Sequence, residues 1–181
     1  MTCAAAGGCG NTGLVGIRLA RDAELSVVQR IDRASGQMFS DFGRPQVSGL
    51  LWPIEALSAC REAGRLWVVT GADDRPAGFL ITDVVDGCLQ VEQVSVDPGS
   101  ARRGLGRALL DHAAAQAAAA GLPAVTLTTF ADVPWNAPYY QRCGFRVLDD
   151  AEVTAGLRAI RQREAGVGLD QWPRVCMRRD V

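Results

Sequence analysis

Apolar and polar residues follow two different periods along this chain, and each period predicts one type of element. Leu25, Val28 and Ile31 recur every three or four positions, which predicts an amphipathic helix. The segments with a helical pattern are 21–35, 53–63, 105–120, 134–142 and 152–165. Segments rich in β-branched residues predict strands at 14–20, 65–70, 77–85, 88–97, 124–130, 145–148 and 174–178. Residues 36–49, which mix glycine and proline with aromatic residues, are predicted to form a loop.

The order of these elements predicts the fold class. Short turns with Asp or Gly connect the three strands between residues 65 and 97, as is typical of antiparallel hairpins. We therefore expect an α/β fold of the α+β type. It would have a mixed, mostly antiparallel central sheet of six to seven strands, flanked by helices on both faces. Residues 14–181 would form a single domain, and residues 1–13, which lack periodicity, a flexible N-terminal tail.

Composition and charge exclude several classes of protein. The formal net charge of -1 gives no reason to expect nucleic acid or an anionic membrane as a partner. No apolar run approaches the roughly 20 residues that span a bilayer, and the first residues lack the features of a signal peptide. The six cysteines form no C-x-x-C pair and His112 is the single histidine, so no metal site is predicted. We expect a cytoplasmic protein.

The turn before the predicted helix 105–120 is the most informative feature of the chain. Gly104 and Gly106 allow the backbone to approach a ligand closely. The helix that begins there offers unpaired N–H groups and the positive end of its dipole, which both favour an anion. Three arginines add positive charge at the same place: Arg102, Arg103 and Arg107. The turn therefore predicts a site for a pyrophosphate or a similar anion.

Two common nucleotide motifs do not fit this turn. The dinucleotide fingerprint G-x-G-x-x-G requires a third glycine, but Leu109 stands at that position. The phosphate-loop motif requires a lysine, and the sequence contains none. The residues instead resemble the acyl-CoA-binding motif of the GNAT acetyltransferase family, with the expected spacing at Val96, Pro98, Gly104 and Gly106. Ala101 departs from that motif, since the family usually has Gln or Arg there; Arg102 and Arg103 are the adjacent substitutes for it.

A second segment carries the same resemblance. Tyr140, Gly144 and Phe145 match the Tyr-x-x-x-Gly-Phe signature of the family, a short helix that runs into a strand. The interval between Gly106 and Tyr140 leaves room for a helix, a strand and a short helix, which is the order found in the family. Together the two motifs extend the resemblance over about residues 14–148.

The resemblance implies an activity and a set of binding residues. The chain would transfer an acetyl or other acyl group from acetyl-CoA to a primary amine of a small molecule or peptide. The transfer would proceed by direct attack in a ternary complex, without a metal, and a homodimer is possible in this family. The pantetheine arm would add to strand 88–97 through backbone hydrogen bonds, with the oxyanion donor near Val94. The cofactor-binding residues implied are Val94, Ser95, Val96, Arg102, Arg103, Gly104, Leu105, Gly106, Arg107, Asn136 and Tyr140.

Tyr140 and Glu92 are the candidate catalytic residues. A phenol is protonated at neutral pH and can give its proton to the departing thiolate, so Tyr140 is the predicted general acid. The alternative is an aromatic side chain that only packs on the sheet, and Tyr139 is expected to face elsewhere. Strand alternation would place Glu92 on the face of Val94 and Val96, near the thioester, as general base. A solvated glutamate or an ion pair is the alternative for Glu92.

Other side chains have weaker support. Asp132 is either a turn residue or a group that orients the amine acceptor. Cys143 has no histidine partner in the sequence that would activate it as a nucleophile, which favours direct transfer. His112 is predicted to be a packed helix residue. The aromatic residues that would line an acceptor pocket, or simply belong to the core, are Phe39, Phe42, Trp52 and Trp135.

Two other functions remain open at this point. A non-catalytic acyl-CoA-binding regulatory module would retain the anion site without turnover. A protein-interaction domain would not be stabilised by coenzyme A at all. The presence of both Tyr140 and Glu92 favours the enzyme, whereas Ala101 favours the module.

Overall fold

The computed structural model describes residues 16–181, which form seven strands and six α-helices. The strands are β1 (Gly16–Leu19), β2 (Leu66–Thr70), β3 (Pro76–Val85), β4 (Cys88–Val96), β5 (Ala124–Phe130), β6 (Arg146–Val147) and β7 (Arg174–Asp180). The helices are α1 (Leu25–Asp41), α2 (Pro45–Ser48), α3 (Ile54–Glu62), α4 (Leu105–Ala119), α5 (Ala137–Arg142) and α6 (Ala155–Gly166). The predicted tail, residues 1–13, lies outside the described residues, as does the start of the first predicted strand.

All seven strands belong to one sheet, in the order β1-β2-β3-β4-β5-β7-β6. Every neighbouring pair is antiparallel except β4 and β5, which run parallel. A parallel pair needs a crossover connection, and α4 supplies it. The prediction of a mixed, mostly antiparallel sheet of six to seven strands is confirmed.

Helices cover both faces of the sheet. On β3, Leu80 packs into the cluster that contains α4, whereas its neighbours Phe79 and Ile81 pack with α1 and α3. Adjacent residues of a strand point to opposite faces, so α4 lies on one face and α1 and α3 on the other. On β7, Cys176 packs with α6 and Met177 with the α4 cluster, which places α6 on the face of α1 and α3.

The predicted loop 36–49 is wrong, because most of it is helical. Helix α1 continues to Asp41, and α2 follows with Pro45 at its first position. Gly36 lies inside α1, where a β-carbon would come within 3.4 Å of the Ser48 Cα atom. Glycine in a helix weakens it by about 1 kcal/mol relative to alanine, yet α1 continues through Gly36 and α2 packs against it. Within the described residues, no helix is long and apolar enough to cross a bilayer.

Candidate functional site

The site begins where β4 and β5 separate. The two strands share three residue pairs, which are Leu89 with Val125, Gln90 with Thr126 and Val91 with Leu127. Beyond these pairs β4 continues to Val96 and β5 to Phe130 without pairing to each other. A cavity of about 930 Å³ opens in this region, with residues of both strands in its wall. The edge of β4 that faces β5 is therefore free to pair with a ligand.

A β-bulge in β4 positions Glu92 at the point of separation. The register pairs on either side are Ile81 with Gln93 and Thr82 with Val91. Glu92 has no partner of its own in this register, so it is the extra residue of the bulge. The bulge interrupts alternation, because Val91 and Val94 both pack in the α4 cluster although they are three positions apart. Among the charges that act on Glu92, Arg163 and Glu164 belong to α6, which covers the opposite face. The prediction that Glu92 shares the face of Val94 and Val96 is therefore wrong.

The Glu92 carboxylate lines the cavity and is half-buried. Burial raises its pKa above the usual value of a glutamate, because the charged form loses solvation. Among residues 16–181, its side chain makes no hydrogen bond and no ion pair. A partly desolvated carboxylate without a partner can accept a proton from a group that enters the cavity.

The predicted anion turn forms the other end of the cavity wall. Gly104 is the N-cap of α4 and has a left-handed backbone with φ of +78°, which glycine adopts without strain. No side chain of residues 16–181 caps this helix, so its first N–H groups remain available to a ligand. Arg102 lies beside Gly104 in the cavity wall, with an exposed side chain.

The predicted cofactor-binding residues divide into two groups. Those that line the cavity are Val94, Ser95, Val96, Arg102, Gly104, Leu105, Gly106, Asn136 and Tyr140. Arg103 and Arg107 do not line it. The Arg107 guanidinium donates to the Arg142 carbonyl oxygen at 3.3 Å and lies 3.6 Å from the Asp111 carboxylate. These contacts engage Arg107 in packing α4 against α5.

Tyr139 lies against the anion turn. A β-carbon added to Gly106 would come within 2.9 Å of the Tyr139 Oη atom, so only glycine fits there without displacing the phenol. Burial raises the pKa of Tyr139 to about 12, and the nearby positive charges are Arg107 and Arg142. The expectation that Tyr139 faces away from the site is wrong, since it lines the same cavity as Tyr140.

Tyr140 packs between Tyr139 and Phe145. Its ring centroid is 5.8 Å from that of Tyr139 and 6.0 Å from that of Phe145. Burial raises its pKa well above the usual value, and the positive charge that acts on it is Arg174 of β7. The two phenols therefore lie in different electrostatic environments, with Tyr139 near the anion turn and Tyr140 closer to β7. Both are protonated at neutral pH.

Asn136, at the start of α5, links this helix to β5. Its Nδ2 atom donates to the Thr129 Oγ1 atom of β5 at 2.7 Å. Its Oδ1 atom is buried and has no hydrogen-bond partner within residues 16–181. An unpaired buried oxygen is costly, and an amide N–H of a ligand would satisfy it.

Aromatic side chains form the far end of the cavity. Phe39 lies 5.5 Å from Phe130 and 5.9 Å from Trp135, measured between ring centroids. Trp52 is also in the wall. Phe42 packs edge-on against Trp135, with ring centroids 5.1 Å apart, but does not line the cavity itself. Three of the four aromatic residues predicted for this pocket are therefore part of it, and Phe130 adds a fourth ring that the sequence did not suggest.

A buried polar network on α1 and β4 was not foreseen. Asp32 accepts hydrogen bonds from the Trp52 backbone N–H at 3.0 Å and from Gln93 Nε2 at 3.3 Å. Gln93 also donates to the Ser95 hydroxyl at 2.9 Å, and Ser35 donates to that hydroxyl at 3.1 Å. Burial raises the pKa of Asp32. The sequence did contain a signal, because Asp32 is a charged residue on the apolar side of α1.

Arg44 ties the α1–α2 region to the loop after β5. Its side chain is 5% exposed and lies 2.7 Å from the Asp132 carboxylate. Three aromatic rings surround its guanidinium, with Phe130 at 4.7 Å, Trp172 at 5.3 Å and Phe42 at 5.6 Å. The Arg44 ion pair lowers the pKa of Asp132. Asp132 therefore links the loop after β5 to the α1–α2 region through Arg44.

Replacing Arg44 with alanine is expected to lower the free energy of unfolding by about 2–4 kcal/mol, as for other large buried side chains. The change removes the ion pair and the three ring contacts and leaves a void beside Phe130. Urea denaturation monitored by tryptophan fluorescence measures the effect. Arg75 is the matched control, because it also pairs with an aspartate but is 86% exposed. Arg75→Ala should change stability by less than about 0.5 kcal/mol; an equally small effect of Arg44→Ala would contradict this assignment.

Two remaining candidates are structural in the described region. Cys143 is a buried free thiol. His112 packs edge-on against Trp67 with ring centroids 4.4 Å apart, and burial lowers its pKa. Among the residues that the structure describes, no three His, Cys, Asp or Glu side chains come together in a way that would hold a metal ion.

Sequence comparison identifies relatives of this chain. A model of the Acetyltransferase (GNAT) family matches residues 35–145, more than half of the chain. Mycothiol acetyltransferase of Clavibacter michiganensis subsp. michiganensis is 42% identical over 108 residues, which is 60% of this chain and 33% of that protein. The ribosomal protein bS18-alanine N-acetyltransferase of Salmonella typhimurium is 38% identical over 74 residues, 41% of this chain and 50% of that protein. The matches thus span a third to a half of these two relatives.

Structure comparison agrees on the fold. N-acetylglutamate synthase from Neisseria gonorrhoeae, solved with coenzyme A and N-acetyl-glutamate, superposes with a TM-score of 0.70. The superposition covers 92% of this chain and 35% of that one at 16% identity, so it shows a shared fold only. The family match, however, covers both sequence motifs and the strands that open the cavity. The chain belongs to the GNAT acetyltransferase family.

Proposed function

We propose that this chain transfers an acetyl group from acetyl-CoA to a primary amine by direct attack within a ternary complex. One observation carries the proposal: the parallel strands β4 and β5 separate between an uncapped helix N-terminus and the unpaired carboxylate of Glu92. An anionic donor and an amine can thus enter one cavity from two ends and meet at the bulge.

The residues present suit acetyl-CoA. The diphosphate would bind the first N–H groups of α4 at Gly104 and Gly106, with Arg102 beside them. The pantetheine arm would pair with the free edge of β4 at Val94 and Val96, and an amide N–H of that arm would donate to the unpaired Oδ1 atom of Asn136. Cytoplasmic location and dimerisation, both expected in this family, stay predictions.

The chemistry requires three groups. The protonated amine gives one proton to Glu92, and its nitrogen then attacks the carbonyl carbon of the thioester, so that an N–C bond forms. A backbone N–H near Val94 would stabilise the resulting oxyanion. When the oxyanion collapses, the C–S bond breaks and the thiolate takes a proton from Tyr140. The nitrogen loses its second proton, which restores Tyr140, and Glu92 releases its proton to solvent. The products are an acetamide and free coenzyme A.

Replacing Tyr140 with phenylalanine is expected to lower kcat about 100-fold, at the low end of general acid catalysis, because a thiolate leaves more readily than an amine or alkoxide. The dissociation constant for acetyl-CoA should change little, since the ring stays. Thiol release and calorimetry measure the two quantities. Tyr139→Phe removes a neighbouring hydroxyl and is expected to lower kcat far less. Equal losses in the two variants would show that Tyr140 has no special role.

The proposed function is tested by thiol release from acetyl-CoA over a panel of primary amines, with thermal unfolding measured in parallel. An acetyltransferase is expected to be stabilised by acetyl-CoA and to release thiol with at least one amine. A non-catalytic acyl-CoA-binding module would be stabilised without any amine-dependent release. Absence of both effects would contradict the proposal and favour an interaction domain.

A further inference from the structure

We infer that the amine acceptor is a small primary amine joined by a short linker to an aromatic or branched aliphatic group, with no second charged group. This inference rests on the proposed function and specifies its second substrate. It follows from two properties of the acceptor end of the cavity, the part beyond Glu92 that α1, α2 and the loop after β5 enclose: its apolar wall and its single unpaired acid.

The wall of the acceptor end is mainly apolar. The side chains that form it are Met38, Phe39, Leu50, Leu51, Trp52, Phe130 and Trp135. Met38 and Leu50 also reach the outer surface, where they are 37% and 42% exposed. Exposed large apolar side chains that continue from a cavity are typical of a binding surface for an apolar group. The acceptor therefore buries an apolar group there rather than a sugar or a polar chain.

The carboxylates of the same region already have hydrogen-bond or ion-pair partners in the protein, with one exception. Asp32 accepts two hydrogen bonds from the protein. Glu164 is paired with Arg174 at 2.6 Å and also accepts from Thr128. Glu92 alone among these carboxylates has no partner within residues 16–181. One free carboxylate matches one ammonium group.

A second charge on the acceptor would find no free buried partner among residues 16–181. A polyamine carries further ammonium groups, and Arg163, the cation of the cavity wall that acts on Glu92, would repel them. An α-amino acid would bring a carboxylate beside Glu92. Its available cation is again Arg163, whose side chain is exposed, and exposed ion pairs contribute little. Arg174 is not available for that carboxylate, because it is held by Glu164.

The experiment compares kcat/KM for four amines, with the 181-residue chain and acetyl-CoA: phenethylamine, ethanolamine, spermidine and phenylalanine. Phenethylamine is expected to exceed ethanolamine by about 10- to 100-fold, the gain for burying a ring of this size. It is also expected to exceed spermidine and phenylalanine. A higher value for any of these three would overturn the inference while leaving the acetyltransferase function intact. Absence of thiol release with all amines, despite binding of acetyl-CoA, would instead contradict the proposed function.

A matched pair of variants tests whether the preference for the aromatic amine arises at the acceptor wall. Leu50 and Leu19 are each 42% exposed, but only Leu50 lines the cavity. Leu50→Glu places a charge in the acceptor wall. Because part of the apolar wall is lost, the ratio of kcat/KM for phenethylamine to that for ethanolamine is expected to fall at least about 5-fold. Leu19→Glu should leave this ratio unchanged. Because both positions are on the surface, neither change should prevent folding, and an unchanged ratio in Leu50→Glu would overturn the assignment of the acceptor wall.

Discussion

Replacing Glu92 with glutamine is expected to lower kcat/KM for the amine about 1000-fold, within the range of general base catalysis. The amide keeps the shape of the side chain in the β4 bulge but cannot accept the proton of the ammonium group. Binding of acetyl-CoA should be unchanged, since the carboxylate lies beyond the predicted thioester position. The measurement is thiol release over a range of amine concentrations, with acetyl-CoA binding followed by calorimetry.

The pH profile gives an independent test of Glu92. Burial raises the pKa of this carboxyl, and the group acts as a base only when it is deprotonated. Activity should therefore rise with pH through a value above that of an ordinary glutamate, and this rise should be absent from the residual activity of the Glu92→Gln variant. Glu55, an exposed glutamate at the start of α3, is the matched control. Glu55→Gln should retain both the rate and the profile; if Glu92→Gln did so as well, another group would be the base.

Replacing Gly106 with valine is expected to weaken acetyl-CoA binding at least 100-fold. The branched side chain would cover the first N–H groups of α4, which are the proposed diphosphate ligands. Loss of two hydrogen bonds to a charged group, each contributing about 1.5–3 kcal/mol, corresponds to a change of this size or larger. Isothermal titration calorimetry measures the dissociation constant, and the thermal midpoint of the free protein shows whether the fold is kept.

A double variant separates the two effects of this substitution. The new β-carbon would lie 2.9 Å from the Tyr139 Oη atom, so Gly106→Val also disturbs the tyrosine pair. Tyr139→Phe removes that oxygen. The combined variant should regain thermal stability but not affinity, because the valine methyl groups still cover the helix N-terminus. Gly166→Val is the control, since a β-carbon there meets no atom within 4 Å. Recovery of affinity in the double variant would show that the turn does not bind the diphosphate.

Much of this architecture was predictable from local sequence. Strand and helix periods are set by which face is buried, so the sheet and its flanking helices followed from the pattern. The glycines of the turn were also informative. The left-handed backbone at position 104 favours glycine, and the close approach of Tyr139 at position 106 leaves no room for a β-carbon. Tyr140 was singled out by its resemblance to the family's Tyr-x-x-x-Gly-Phe signature, and it lies in the cavity wall on the short helix α5.

What could not be predicted depends on contacts between distant residues. The bulge at Glu92 exists because β3 and β4 differ by one residue in register, and neither strand shows this alone. Asp32 meets Gln93 only after α1 has packed on β4. Arg44 is buried because Phe130 and Trp172, which are distant in sequence, close over it together with the nearby Phe42, and the sequence alone does not show that these segments meet. Residues 36–49 likewise became helical through packing, although glycine and proline favoured a loop.

The short pairing of β4 with β5 has a consequence for the motion of the molecule. Within residues 16–181, three residue pairs are the only ladder that joins strands β1–β4 to strands β5–β7. A donor bound along the free edge of β4 would fill the gap between β4 and β5. A ligand that binds only the folded state stabilises that state, so the donor should stabilise the junction between the two halves of the sheet. We therefore expect the amide hydrogens of both halves to exchange more slowly when the donor is present. Release of coenzyme A would then require β4 and β5 to move apart. This opening of the sheet would be a candidate for the slowest step of turnover.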